Sequence, residues 1–462
     1  MACKKCALDA RGYRVPAAQF TRAMAAALTL RPYAPPDTGF ARPRPIPLYE
    51  RQSDGAVLVP ARWGAGALGA APFDDAACVA TCARLRFDGA LRDTEHYSQA
   101  SACADALRAL RAHGGCVMSL FTGAGKTTCA LYIASQLGVR TAIVVHKTPL
   151  LEQWRERAAQ FLPDARVGIV REDAQEIEGV DLVVCMLQTL VSRGAPPALR
   201  TVGLVVFDEV HHMAAAVFSR VFFGATRPWM LGLSATVERK DRMDRALEHF
   251  IGPVAVRVAL RVEPGHVQAR LLMPDLPLYQ QRCPTNAQGK VNFPALVQAL
   301  VDDAQRNALI AAEVHALARD GRQIVVMSDR RAHCAELQAL FRARGGSNDV
   351  LILGGTRDPP GDCDVIFSTF SYFAEGVDIP RLNTVVLASP RSDVRQACGR
   401  AMRGRAAAHP PLIVDVVDRW GSLRAQSQVR LRYYRDAGFD VRGQPLQERP
   451  AARPAARVAF LE

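Results

Sequence analysis

The sequence predicts an α/β protein in which two domains follow one another, each a parallel sheet with flanking helices, behind a small N-terminal accessory domain. Three observations carry this reading. At 462 residues the chain exceeds what one hydrophobic core usually organises. Short apolar runs alternate with helix-like stretches, the pattern of strands joined by crossover helices. That rhythm occurs twice, and 49% hydrophobic against 22% charged residues is ordinary globular composition.

Residues 1–90 form the accessory region. Its proline-rich stretch from Arg31 to Pro47 reads as a linker, Ala56 to Pro60 as a short strand, and the glycine-punctuated run from Trp63 as loop. In the first α/β domain, 91–257, the strand candidates are 116–121, 141–146, 181–186, 203–208 and 229–235. These runs are continuous rather than alternating, as strands covered on both faces should be. The second domain, 258–438, opens with a helical stretch ending at Arg319 and continues through strands at 323–328, 349–353, 364–369, 384–389 and 411–417. Residues 439–462 are rich in Pro, Ala and Arg without periodicity and read as a disordered basic tail.

The net charge of +13 points only weakly to a polyanionic partner, because six of the 58 basic residues are lysine and an arginine- and alanine-rich chain also follows from GC-rich coding. The chain starts MACKKCALDARGYR, which has no apolar run, so no secretory signal is expected and the twelve cysteines should be reduced thiols of an intracellular compartment, cytoplasm, nucleus or virion. Cys3 with Cys6 and Cys78 with Cys82 have the pairwise spacing of zinc ligands. Their separation is far longer than that of a compact zinc module, which favours buried thiols.

The strongest local signal is Thr122-Gly123-Ala124-Gly125-Lys126-Thr127-Thr128 between a strand and a helix. Glycines let backbone N–H groups approach phosphate oxygens, the helix presents its positive end, and Lys126 can reach the β- and γ-phosphates of ATP while Thr127 holds Mg²⁺. Leu120 stands where the strict pattern has a glycine, so a glycine-rich turn remains the alternative for this segment alone. Asp208-Glu209-Val210-His211 follows a buried strand 82 residues after Lys126. Asp208 suits the metal and Glu209 the attacking water, whereas a plain helix cap leaves the preceding apolar strand unexplained. Ser234-Ala235-Thr236 ends another strand and could equally be a helix cap. Gln396, Arg400 and Arg403 are spaced by four and three on one helical face, where two arginines suit a γ-phosphate but also an ordinary solvated surface.

GAGKT, HKTPLLEQW, DEVH, SAT, SYFAEGVDIP and QACGRAMR, in this order from about Leu91 to Tyr434, resemble superfamily-two helicases. The wording around the motifs is similar to the branch of excision-repair and transcription-factor helicases and their relatives in large DNA viruses, including the poxvirus transcript-release helicase. The resemblance implies two tandem RecA-like domains with ATP bound between them. It implies an adenine contact for Gln99, although LRDTEHYSQ departs from the family's compact form, and it gives His211, Ser234, Ala235 and Thr236 a coupling role. It further implies backbone contacts for His146 and Lys147, a helix-packing role for Trp154, and an ATP contact for Gly376 and Asp378. AVLVPARWG is similar to an N-terminal segment of the viral relatives. DNA is the expected partner, with RNA open. An RNA helicase, a duplex-DNA translocase that never separates strands, and an inactive scaffold or transcription regulator keeping the fold are the rival readings.

Overall fold

The computed structural model of the chain describes residues 6–33, 44–74, 79–212, 221–235, 243–353, 362–376, 379, 381–401 and 409–443. It divides into two compact units, Met1–Leu260 with Glu375–Asp378, and Arg261–Ala374 with Ile379–Glu462.

The first unit is built on an eight-stranded sheet. Its strands run, across the sheet, Ala174–Gln175, Val167–Arg171, Leu182–Met186, Thr141–Val145, Leu204–Phe207, Trp229–Ser234, Gly115–Leu120 and Val254–Val258. All pairings are parallel except that of the first two strands. The central strands are buried along their whole length, as their unbroken apolar runs require. Alternate side chains feed two separate cores. Cys116, Met118 and Leu120 join one with Ile143 and Val145, under the helices Gln99–His113, Lys126–Leu137 and Thr148–Phe161, while Val117, Ala142 and Val144 join the other.

That second core is closed by the N-terminal region. Ala7–Asp9, Gly12–Val15, Val57–Val59 and Glu50–Arg51 make a four-stranded antiparallel sheet whose Leu8, Tyr13, Val15 and Val57 pack with Val117 and Val144. Arg62 donates to the carbonyls of Arg227 and Pro228 at 3.0 and 3.2 Å, just before the strand that starts at Trp229. The region therefore has a sheet of its own but shares a core with the first α/β sheet, which corrects the expectation of a separate domain. The run from Trp63 is a second correction: Ala61–Leu68 is a helix, not a loop. Gly64 is a packing glycine there, because a Cβ would fall 2.4 Å from Tyr13 Cγ.

The second unit holds a seven-stranded parallel sheet in the order Asp349–Ile352, Val365–Thr369, Ile324–Ser328, Thr384–Leu387, Leu412–Val416, Gln268–Leu272, Asp440–Arg442. Ala304–Arg319 and Arg331–Ala343 pack against it, the first capped by Asp303, whose side chain accepts from Arg306 N. Asp440–Arg442 corrects the start of the supposed tail: Phe439 is buried and these residues extend the sheet beside Gln268–Leu272. Residues 444–462 lie outside the described residues. Among the described residues, no helix is long and apolar enough to cross a membrane.

Candidate nucleotide site

In the first unit the C-terminal ends of four parallel strands bring the candidate residues to one edge, where open α/β sheets bind ligands. Gly115–Leu120 leads into the loop Thr122–Gly125 and the helix Lys126–Leu137, with Gly123 and Gly125 at φ 96° and 84°. No side chain caps this helix at Gly125, so the first-turn N–H groups face the loop concavity. Thr122 Oγ1 is buried there without a hydrogen-bond partner among the described residues. Left-handed glycines, an uncapped helix start and an orphaned hydroxyl fit an anion, and the hydroxyl of Thr127 with the carboxylate of Asp208 is an all-oxygen set suited to Mg²⁺.

Lys126 Nζ lies 2.5 Å from Glu209 Oε1. Glu209 is held at φ 47°, a left-handed conformation unusual for a non-glycine residue, which swings its side chain back toward the loop. Its second oxygen lies 3.4 Å from His211 Nδ1, and that nitrogen lies 2.9 Å from Ser234 Oγ. Lys126, Glu209, His211 and Ser234 thus form one polar chain running from the phosphate loop across the sheet edge.

Asp208 follows the strand Leu204–Phe207, and its Oδ1 accepts from Glu209 N at 2.9 Å. Its Oδ2 accepts from Trp154 Nε1 at 2.8 Å. Burial pushes the Asp208 carboxyl above its ordinary value, the neighbouring Glu209 charge adds to this, and the Lys126 ammonium and Trp154 N–H oppose it. A bound cation would relieve both of the first two effects.

Gln99 begins the helix Gln99–His113, is buried, and donates from Nε2 to the carbonyl of Ala124 at 2.7 Å while its Oε1 accepts from Arg92 N at 2.8 Å. A Cβ on Gly125 would lie 2.3 Å from that Nε2, so glutamine and glycine are fitted to each other. The departure from the compact family wording is a short hairpin, Asp93–Thr94 paired with Tyr97–Ser98, which brings Arg92 beside Gln99. His146 and Lys147 follow Thr141–Val145, and His146 O accepts from Gln188 Nε2 at 2.7 Å. Burial depresses the pKa of both, and the Lys147 charge lowers that of His146 further. Ala235 directly follows the strand ending at Ser234, while Thr236 lies outside the described residues.

The remaining candidates lie later in the chain, Gln396 and Arg400 in the second unit and Gly376 with the first. Gln396 is half-buried on the helix Arg395–Ala401, which also contains Arg400, and Gly376 ends the helix Phe370–Gly376. Asp378 and Arg403 lie outside the described residues, as do Cys3 and Cys78. Cys82 is buried, and burial raises its thiol pKa to about 11. Sequence reasoning missed two participants. Arg92 contributes only its backbone and leaves no side-chain signal. Trp154 packs in the core at 1% exposure, and its indole N–H also reaches Asp208, a contact between residues 54 apart that no local pattern announces.

Residues 93–239 match the family described as "Type III restriction enzyme, res subunit". The chain is 26% identical over 72% of its length to "Putative ATP-dependent RNA helicase L396" of Acanthamoeba polyphaga mimivirus, of which the match spans 66%. It is also 26% identical over 89% of its length to "Putative helicase 055L" of Frog virus 3, of which the match spans 94%. Among solved structures, the DUF1998 helicase MrfA, crystallised with DNA and AMPPNP, aligns with 77% of this chain and 55% of its own at a TM-score of 0.51 and 14% identity, a likeness of fold. With two parallel sheets in tandem and a phosphate-loop motif followed by an Asp-Glu pair, the chain resembles the superfamily-two helicases and is similar to putative helicases of large DNA viruses.

Proposed function

We propose that this protein hydrolyses ATP at the site around Lys126, Asp208 and Glu209 and uses the cycle to move along or unwind DNA. The observation that carries the reading is the Lys126–Glu209 pair at 2.5 Å, closed over a glycine loop beside Asp208. An ammonium paired with the candidate base is a resting arrangement. An incoming triphosphate competes for Lys126, frees Glu209 to orient water and accept its proton, and leaves Asp208 and Thr127 for Mg²⁺, which neutralises charge on the phosphates when bound. Glu209, His211 and Ser234 then offer a path by which loss of the γ-phosphate is felt at the next strand. Gln396, Arg400 and Arg403 are proposed to sense the γ-phosphate, Gly376 and Asp378 to contact ATP, and His146 and Lys147 to hold the nucleic-acid backbone.

RNA is the second reading, favoured by the names of a mimivirus and an African swine fever virus relative, each called a "Putative ATP-dependent RNA helicase". Transcription or repair in a viral setting is the corresponding biology. ATPase rates with single-stranded DNA, duplex DNA and RNA, measured side by side, test the proposal. Strongest stimulation by DNA supports it, strongest stimulation by RNA shifts the substrate, and no stimulation by any of the three overturns it.

A further inference from the structure

Trp154 has two unusual properties together. It is a fully buried ring in the core of the first unit, and its one polar atom is spent on the candidate metal-holding acid, at 2.8 Å from Asp208 Oδ2. A buried indole N–H needs an acceptor, and a carboxylate is a strong one. The other carboxylate oxygen is taken by the backbone N–H of Glu209. Rotation of a carboxylate about its last bond is otherwise broad, and one donor on each oxygen fixes its plane.

The helix that carries Trp154, Thr148–Phe161, starts immediately after Lys147. Leu150 N and Leu151 N donate to the carbonyl of Lys147 at 3.1 and 3.3 Å, so Lys147 is bound into the first turn. Trp154 comes about two turns later on the same face. A short rigid rod therefore has a candidate nucleic-acid contact at one end and a hydrogen bond to Asp208 at the other.

We infer that Trp154 is a positioning residue, which orients Asp208 for Mg²⁺ and links that orientation to nucleic acid held at Lys147. The inference rests on the reading of Asp208 and Lys147 given above. Trp154→Phe removes the donor while keeping an aromatic ring, smaller than the indole, in the core. Loss of an outer-shell donor of this kind weakens metal binding by about tenfold.

The test uses the full chain and two readouts besides turnover. Calorimetric titration of Mg²⁺ into protein saturated with a non-hydrolysable ATP analogue should give a dissociation constant about tenfold higher for Trp154→Phe than for the natural chain, with metal-free binding of the analogue unchanged. Indole ¹⁵N–H spectra of the natural chain, assigned by elimination with Trp63→Phe, Trp229→Phe and Trp420→Phe, should show the Trp154 signal moving on addition of Mg²⁺ with the analogue. The same signal should move with a single-stranded oligonucleotide alone. A Trp154 signal indifferent to both additions overturns the inference, and so does equal Mg²⁺ affinity in the two proteins. If the natural chain binds neither Mg²⁺ nor the analogue, the proposed function falls instead, and this inference with it. The spectra need no substitution at Trp154, so they decide the matter even if Trp154→Phe fails to fold.

Discussion

Gly125 shows how little freedom the phosphate loop has. Its φ of 84° disfavours any side chain, and the Cβ of an alanine would sit 2.3 Å from Gln99 Nε2. Gly125→Ala must therefore either displace Gln99 from the Ala124 carbonyl or reshape the loop. The expected outcome is at least tenfold weaker binding of a fluorescent ATP analogue with an unchanged circular dichroism spectrum; full-strength binding would contradict the fit of loop to glutamine. At this scale the site was legible wherever its residues are contiguous. Lys126, Asp208 and Glu209 each follow a buried strand within a few positions, so spacing and chemistry pointed to them together. Trp154 and Arg92 were not legible, because their contribution exists only once distant segments meet.

Helices and strands were legible in proportion to how uniformly they are buried. The strands at 115–120, 141–145 and 204–207 have both faces covered and no polar interruption, so their apolar runs stood out. Edge and near-edge strands such as Val254–Val258 and Gln268–Leu272 keep exposed positions and carry arginine within them, which dilutes the same signal. Ala61–Leu68 was hidden by its two glycines, neither of which makes a turn and of which Gly64 serves packing. Gly64→Ala would push a methyl group against the buried Tyr13 ring, and overpacking of this kind costs about 1–3 kcal/mol. A urea titration should show a lower midpoint at unchanged slope. Gly66, with nothing near its Cβ position, is the control, and Gly66→Ala should be neutral or stabilising.

Over the whole molecule, the N-terminal region is bound into the first unit by burial. Residues Leu8, Tyr13, Val15 and Val57 cover the face of the main sheet that Val117, Ala142 and Val144 present. Removing residues 1–60 would expose that face to water, so the truncated protein is expected to aggregate or lose its cooperative thermal transition. A truncated protein that stays monomeric and melts like the full chain would restore the picture of a detachable domain. Boundaries of this kind are hard to read from sequence, because a proline-rich stretch marks a linker in the chain without saying whether the segment before it packs back. The charge of +13 acts on the same scale: nucleic-acid stimulation of turnover should fall steeply as salt rises, since phosphate contacts are counterion exchanges.

The central claim is that Glu209 accepts the proton of the attacking water while Lys126 and the glycine loop hold the triphosphate. Comparing Glu209→Gln with the natural chain for ATP affinity and for the hydrolysis rate at saturating nucleic acid tests it most directly. The expected result is ATP binding within a few-fold of the natural chain and hydrolysis reduced by about 10²-fold or more. Near-natural hydrolysis by Glu209→Gln would contradict it.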